Sequence, residues 1–334
     1  MSHYHHLSIS ERESIWESVL KGKSLRQIAS ELGRNVSTIS REIRRNRQAH
    51  GYRPSEAQDS YAHRRLRCRR RLILAGGELR DIVAGLITGE QWSPEQIANR
   101  LALEWGRPMV SYATIYRALQ NGCMEPKGKR KKNRQGRYPM QKHLRRKGWR
   151  GKGREKYTPL AHIHQTIEER PKSAQNRTQF GHWEGDLVYS SFHKVYIVTL
   201  VERRSRYLLT GISKTRRPEE VAEVIYELLK PLPQQKLRSI TLDRGSEFAQ
   251  HSKITEKLPY ASFYFAHSHA PWERGTNENT NGLLRQYIPK RTYKVPFSKE
   301  LLCEFTKKLN HRPRKCLGWK SPSEVFSHKV LHLT

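Results

Sequence analysis

The chain has 334 residues, a length that predicts two or three domains and permits a substantial hydrophobic core. Its 64 Lys and Arg residues outnumber 31 Asp and Glu residues, and the resulting net charge of +33 indicates a polyanionic partner. We find no run of about 18 apolar residues and no charged-then-apolar leader, which argues against a membrane partner. Four scattered cysteines without CxxC spacing argue against a zinc module, so we expect reduced thiols and a cytoplasmic, nucleoid-associated protein.

The N-terminal segment, assigned here as a domain of residues 1–60, has the pattern of a helix-turn-helix. Ser10 is placed to cap a first helix, Ser24 begins a short helix that ends at Gly33, and Val36 starts another. Polar and basic residues on the last helix are free to enter a major groove. An ordinary helical hairpin is the alternative, and the net charge favours DNA. The candidate DNA contacts here are Arg26, Ser37, Thr38, Ser40, Arg41, Arg44 and Arg45.

The same pattern occurs again in a second helical domain, residues 61–125. Ser93 and Pro94 occupy the N-cap and first positions of a helix, and a partner helix is predicted at 112–119. Both copies carry a Gln-Ile-Ala step and a later Ser/Ala-Thr-Ile step, so we predict two tandem DNA-binding units. The candidate DNA contacts of the second unit are Ser111, Thr114 and Arg117.

Two further segments are strongly basic. Residues 64–71 contain six arginines, and residues 127–156 contain fifteen Lys or Arg with a single acid, Glu155. The first segment either contacts phosphates or forms a solvated helix face. The second lies within a predicted linker, 126–165, which we expect to become ordered only on DNA and to provide salt-dependent affinity. The linker residues assigned as DNA contacts are Lys129, Arg130, Lys131 and Lys132.

The composition changes near residue 165, and we assign residues 166–334 as one catalytic α/β domain. The predicted elements are strands at 182–189, 194–201 and 207–213 in an antiparallel meander, a helix at 218–228, strands at 238–243 and 261–265, and a helix at 277–287. This order is that of the ribonuclease-H-like fold, a mixed sheet covered by helices on both faces. The fold class is therefore multidomain, with all-α helix-turn-helix modules before an α/β integrase-type core.

Three acids come to one location in that fold. Asp186 lies within the first strand, Asp243 ends the fourth strand, which pairs beside the first, and Glu278 lies on a helix packed across them. Alone, each is compatible with a surface charge, but three converging carboxylates repel one another unless a cation is present. The arrangement therefore implies two Mg²⁺ or Mn²⁺ ions, which activate the attacking oxygen and stabilise the leaving one during displacement at phosphorus.

Neighbouring acids compete for these roles. Glu184 shares a strand face with Asp186, and Glu247 follows Asp243 by four residues. We regard both Glu184 and Glu247 as candidates for supporting or structural positions.

Two polar residues on the last predicted helix are further candidates. Arg285 lies two helical turns after Glu278, where it either holds a phosphate near the metal ions or is a surface arginine. Asn281, which lowers the helix propensity of this segment, is a candidate supporting residue beside the acids.

Four motifs carry a resemblance to a known family: Gly-His-Trp-Glu-Gly-Asp at 181–186, Thr-Leu-Asp-Arg-Gly-Ser-Glu-Phe at 241–248, and the longer segments 271–287 and 309–319. They resemble bacterial insertion-sequence transposases of the IS-thirty type, within the group that has a retroviral-integrase-like DDE core. The resemblance spans nearly the whole chain.

This resemblance implies that Asp186, Asp243 and Glu278 are the DDE triad, with Glu278 35 positions after Asp243. Arg244 stands where many members have asparagine, which puts in doubt any contact that the asparagine makes. The resemblance further implies excision and insertion of a mobile element through an intermediate with abutted inverted repeats. The chemistry would be hydrolysis and direct transesterification, without a covalent bond between protein and DNA.

The predicted function is thus a DNA transposase with double-stranded DNA partners, namely terminal inverted repeats and target DNA, acting as a dimer or higher oligomer. One alternative is a nuclease of related fold without strand transfer, against which the tandem DNA-binding units argue. The other is a DNA-binding repressor or domesticated protein with an inert catalytic half, against which the intact triad argues.

Overall fold

The structure is a computed structural model that describes residues 5–68, 72–126, 131–134, 136–144, 165–191, 193–267, 270–289 and 297–328. The chain divides into two compact units, Met1–Leu72 and Ile73–Thr334. Within the described ranges, every helix is too short or too polar to cross a membrane.

The first unit is a helical bundle with a small hairpin. Its elements are α1 (Ile9–Leu20), α2 (Leu25–Glu31), α3 (Val36–Asn46), β1 (Arg47–Gln48), β2 (Gly51–Tyr52) and α4 (Pro54–Arg67). The predicted cap of α1 was wrong: Ser8, and not Ser10, caps it, because Ser8 and Glu11 bond each other's backbone N–H groups. The predicted boundary between residues 60 and 61 falls inside α4, and Ala57 of this helix is buried in the core of the first unit.

A second helical module begins the second unit. It contains α5 (Glu78–Thr88), α6 (Pro94–Trp105) and α7 (Tyr112–Gln120). Ser93 caps α6 as predicted, and Ile97 and Ile115 are fully buried between the helices. Part of the predicted linker also packs here, because the short 3-10 helix Pro139–His143 places Met140 in the same core.

The remainder of the second unit is built on one five-stranded sheet. Its elements are α8 (Lys172–Gln175), β3 (His182–Ser190), β4 (Val195–Glu202), β5 (Leu208–Ser213), α9 (Pro218–Leu229), β6 (Ser239–Leu242), α10 (His251–Lys257), β7 (Ser262–Phe265), α11 (Gly275–Leu284), α12 (Lys299–His311) and α13 (Pro322–Ser327). The strand order is β5-β4-β3-β6-β7, with β3, β4 and β5 antiparallel and β6 and β7 parallel to β3. The predicted ribonuclease-H-like fold is confirmed.

Helices cover both faces of this sheet because its strands are apolar on both sides. Val198 and Leu200 face α9 and α10, whereas the alternate residues Ile197 and Val201 face α11 and α12. On β3, Trp183 belongs to the first face and Val188 to the second. Even-numbered residues of β3 therefore point toward α11.

Candidate active site

Asp186 and Asp243 lie level with each other on neighbouring strands. In the parallel register of β3 and β6, Glu184 is opposite Thr241. Asp186 follows Glu184 by two residues, and Asp243 follows Thr241 by two residues, immediately after β6 ends. Because side chains alternate along a strand, Asp186 points toward α11. The two aspartates therefore share the end of the β3–β6 ladder.

The guanidinium of Arg274 lies between these two carboxylates. Its Nη2 donates to Asp243 Oδ2 at 2.9 Å, and its Nη1 is 3.5 Å from Asp186 Oδ1. The same Nη1 donates to the carbonyl of Gly185 at 3.0 Å. Arg274 ends a 3-10 turn, Pro271–Arg274, that leads directly into α11. Sequence reasoning missed this residue, although it lies four positions before Glu278.

Helix α11 is fixed to the sheet by Asn277, whose side chain is fully buried. Its amide donates to the carbonyl of Glu184 at 3.1 Å, and its backbone N–H donates to the Glu184 carboxylate at 2.8 Å. Thr199 on β4 donates to the Asn277 side-chain oxygen at 3.2 Å. These buried bonds set the position of the helix over β3 and β4.

The next turns of α11 carry Glu278 and Asn281. Asn281 donates its side-chain N–H to Asp186 Oδ2 at 2.8 Å. Glu278 is exposed and lies one turn before Asn281, so the two residues share one side of the helix. Glu278 is thus placed between Arg274 and Asn281, which both contact Asp186.

The electrostatics of the site centre on Asp186. Burial is the main cause that raises its pKa to about 6; Arg274 opposes this shift and the neighbouring Asp243 adds to it. For Arg274, burial disfavours the charged guanidinium, but Asp186 and Asp243 outweigh it and the pKa is raised. Positive charge between the two aspartates is therefore strongly favoured.

The two competing acids have other partners. Glu184 is fully buried and forms an ion pair with Arg203, in addition to its bond from Asn277. Glu247 is buried and pairs with Arg216 at 2.8 Å. Neither carboxylate is bonded to Arg274 in this arrangement.

We tested whether these residues fit a divalent cation. In the described ranges, no three carboxylate, imidazole or thiolate groups converge closely enough to hold a metal ion. Two aspartates do converge on one cation, the guanidinium of Arg274, and carboxylate oxygens are the donors that Mg²⁺ and Mn²⁺ prefer. The donor chemistry of the two aspartates therefore fits, whereas the predicted convergence of all three acids is not seen in this arrangement, in which Glu278 is exposed on α11.

Gly185 leaves room for the side chains of two core leucines at the site. A Cβ atom at this position would lie 2.5 Å from Leu242 Cδ2 and 3.1 Å from Leu200 Cδ2. A side chain here would have to displace the ends of these two core leucines directly beneath the strands that carry the aspartates.

Similarity to curated relatives extends over nearly the whole chain. Residues 3–46 match the family described as "Helix-turn-helix domain". The chain is 36% identical over 332 residues to the "Transposase InsI for insertion sequence element IS30A" of Escherichia coli K12, covering 97% of this chain and 84% of that protein. It is 34% identical to the transposase for insertion sequence element IS4351 of Bacteroides fragilis, covering 97% and 96% of the two chains.

The chain belongs to the IS30 (IS-thirty) family of insertion-sequence transposases. The transposase for IS1086 of Cupriavidus metallidurans is also 34% identical, covering 97% of this chain and 94% of that protein. Among solved structures, the catalytic core domain of BIV integrase aligns with 44% of this chain and 93% of its own, at 18% identity and a TM-score of 0.36.

In this IS30-family member, the matched helix-turn-helix corresponds to α1, α2 and α3. Asn35 caps α3, whose buried residue Ile39 faces the core and whose opposite side is polar. Of the predicted contacts, Thr38 and Ser40 are half-buried on α3, and Arg26 is exposed on α2. The exposed candidates on α3 are Ser37, Arg41, Arg44 and Arg45.

The second module of this IS30-family member repeats that arrangement. Ser24 and Ser93 form equivalent capping boxes with Gln27 and Gln96. On α7, Ser111 is the N-cap, and the predicted contacts Ser111 and Arg117 are exposed whereas Thr114 is half-buried.

The remaining predicted contacts are dispersed. Lys131 and Lys132 are exposed, and the Lys132 ammonium lies 5.5 Å from the centre of the Tyr138 ring. Arg285 follows α11 and donates to the carbonyl of Tyr189 at 2.9 Å, so one of its N–H groups is already used by the protein. Lys129 and Arg130 lie outside the described residues, as do three arginines of the 64–71 segment.

Proposed function

We propose that this protein is an insertion-sequence transposase that binds the terminal inverted repeats of its element and cuts and rejoins DNA strands. The observation that carries the proposal is the convergence of Asp186 and Asp243 on one positive charge. The two aspartates lie on adjacent strands, and both approach the guanidinium of Arg274 at the start of the helix that bears Glu278. The net charge of +33 and two helix-turn-helix modules supply the affinity for DNA.

Asp186, Asp243 and Glu278 are the proposed ligands of two Mg²⁺ or Mn²⁺ ions. Bound there, such ions would activate the attacking oxygen and stabilise the leaving oxygen at phosphorus. Arg274 and Asn281 orient the carboxylates: Arg274 bonds Asp243, and Asn281 bonds Asp186. The donor set is therefore held in position by partners in the protein, which is how supporting residues tune metal sites.

The DNA partners proposed are the inverted repeats and a target duplex. Helices α3 and α7 each present a capped N-terminus and an exposed polar side, the arrangement that recognition helices use in the major groove. Two element ends must meet before coordinated cutting, so we propose a dimer or higher oligomer that acts on DNA in the bacterial cytoplasm.

The decisive experiment compares the wild type with Asp243→Asn on a labelled duplex that carries the sequences flanking the gene. The variant is expected to bind this DNA as the wild type does and to lose Mg²⁺-dependent cleavage. Glu223→Gln, at an acid that pairs with Lys257 on the surface, is the matched control and should cleave normally. Full cleavage by Asp243→Asn would overturn the assignment of this acid.

The same assay separates transposition from the alternatives. Wild-type protein should yield products in which the element end is joined to target DNA. Cleavage without joined products would indicate a nuclease, and binding without cleavage would indicate a repressor or a domesticated protein.

A further inference from the structure

Arg100 of α6 joins the second helical module to the catalytic domain. The residue is 2% exposed. Its Nη1 and Nη2 donate to the two carboxylate oxygens of Glu324 on α13, at 2.6 and 2.8 Å. Its Nε donates to Glu104, one turn further along α6, at 2.6 Å. This is a two-pronged ion pair, the geometry in which an arginine fixes orientation as well as distance.

Both carboxylates are held in place by their own helices. Glu324 forms a capping box with Ser321, whose backbone N–H donates to the Glu324 carboxylate at 2.5 Å. Glu104 is bound to Arg100 through the i, i+4 spacing of α6. Because Glu104 already orders the Arg100 side chain and Ser321 already orders Glu324, the contact between Arg100 and Glu324 loses little side-chain entropy.

Other polar contacts extend along the same side of α6. Gln96, one turn before Arg100, donates its side-chain N–H to the carbonyl of Pro313 at 2.9 Å. At the edge, the exposed residues Lys315 and Glu95 form an ion pair at 3.3 Å. Because hydrogen bonds and ion pairs depend on direction, these contacts constrain the orientation of α6 against the catalytic domain more than apolar packing alone would.

An adjacent side of α6 packs against α7. Ile97 and Leu101 of α6 lie in one buried cluster with Ile115 and Leu119 of α7. Helix α6 thus contacts the catalytic domain and the candidate recognition helix through neighbouring sides. The packing of α7 on α6 therefore fixes the position of Arg117 and the other exposed residues of α7.

We propose that the Arg100–Glu324 pair fixes the second helix-turn-helix to the catalytic domain and thereby sets the number of base pairs between the sequence that α7 contacts and the phosphodiester that is cut. This inference rests on the proposed function. A module on a free linker would permit many separations, whereas a buried, two-pronged ion pair permits one, because breaking it leaves charges buried without partners.

The first test measures the contact itself, without DNA, by hydrogen–deuterium exchange of the full chain. In Glu324→Gln, peptides covering 93–105 and 313–324 should exchange about tenfold faster than in the wild type, while peptides of β3 and β4 stay protected. The matched control is Glu95→Gln with Lys315→Gln, which removes the exposed pair at the edge of the same interface and should leave exchange unchanged. Unchanged exchange in Glu324→Gln would overturn the proposal.

A second variant guards against a folding defect. If Glu324→Gln also exposes the β3 and β4 peptides, the triple variant Arg100→Met, Glu104→Gln and Glu324→Met replaces it. Removing all three charges leaves no ion of this cluster buried without its partner, so the domains should fold while the directional contact is lost.

The second test measures spacing with DNA ends that carry about 5 or about 10 extra base pairs, roughly a half and a full helical turn, between the α7 footprint and the cut. The wild type should lose at least about tenfold in cleavage with the half-turn insertion, and the variant should lose much less and cut at several positions. A variant that responds as the wild type does would overturn the proposal. If the wild type cuts none of these DNAs, the proposed function fails instead, and the exchange experiment still decides whether the contact exists.

Discussion

Arg274 and Asp243 form an ion pair at 2.9 Å in the candidate active site. The same guanidinium reaches Asp186, so one positive charge in the protein offsets two carboxylates. The negative charge that attracts the Arg274 guanidinium also attracts metal ions from solution. A bound metal ion and the guanidinium would therefore compete for the same carboxylate oxygens.

Replacing Arg274 by Gln should therefore change how the protein responds to metal ions. Without metal, the loss of charged hydrogen bonds should lower the free energy of unfolding by about 1–3 kcal/mol. With saturating Mg²⁺, the rise in melting temperature should be larger in Arg274→Gln than in the wild type, because an ion then replaces the missing charge. Thermal unfolding with and without Mg²⁺ measures both effects.

The control for this prediction is Arg244→Gln, next to Asp243. The Arg244 guanidinium donates to the carbonyl of Ala266, not to an aspartate. It should respond to Mg²⁺ as the wild type does. An equal Mg²⁺ response in Arg274→Gln and the wild type would show that the guanidinium and the metal do not share a site.

Asn281→Ala should impair catalysis without unfolding the protein. The variant removes the N–H that bonds Asp186 Oδ2, and loss of such a supporting bond costs about 10–100-fold in metal affinity or activity. Cleavage rates measured over a range of Mg²⁺ concentrations should fall and require more Mg²⁺. Asn279→Ala, on an exposed position of the same helix, is the control. Identical rates in the two variants would refute a role for Asn281.

His182 should make the stability of the second unit depend on pH. Burial, followed by the charges of Arg238, Arg203 and Arg170, lowers its pKa to about 4. In the unfolded chain this imidazole binds a proton near pH 6.5, whereas in the folded protein it stays neutral down to about pH 4. The contribution of neutral His182 to the free energy of unfolding is therefore intact above about pH 6.5 and is lost as the pH falls toward 4. Between about pH 6.5 and 5, the loss amounts to about 2 kcal/mol.

Thermal unfolding at about pH 7 and about pH 5 checks this expectation, since His182→Gln should lose less stability than the wild type on acidification. The exposed His328 offers the matched control, His328→Gln, which should behave as the wild type. A variant that is as sensitive to acid as the wild type would show that other groups control the pH dependence.

Arg44→Ala tests whether α3 contacts phosphates. Arg44 is exposed in the last turn of α3. Each phosphate contact that is lost should reduce the slope of log K against log salt concentration by about 0.9, with weaker binding to all sequences. Filter binding or fluorescence anisotropy at several salt concentrations gives this slope. Lys21→Ala, at the C-cap of α1, is the control, and an equal slope in both variants would exclude Arg44 from the interface.

The sequence predicted those features that follow from local patterns. Capping serines and buried isoleucines occur at the same spacing in both helix-turn-helix modules, so repetition made each assignment stronger. Strands rich in β-branched residues gave the sheet order, which placed Asp186 beside Asp243. The packing of residues 136–144 against the second module was not predicted. This segment is basic, and its single buried residue, Met140, gives no periodic apolar pattern.

The features that escaped prediction depend on contacts between distant residues. In a chain with 64 basic residues, an arginine is ordinarily exposed, and neither Arg274 nor Arg100 has a sequence signal for burial. Glu324, the partner of Arg100, is 224 residues away. Only the fold brings such residues together, and the same holds for the pairing of Glu184 with Arg203.

The register of β3 has a consequence for how such a gene could lose its activity. Strand β3 pairs with β4 along most of its length but with β6 only from His182 to Glu184. Deleting one codon between Glu184 and Asp186 would turn the aspartate to the opposite side of the sheet, among Leu200 and Leu242. A copy of the gene could thus be silenced while all three acids remain encoded, and a search for intact acids alone would count it as active.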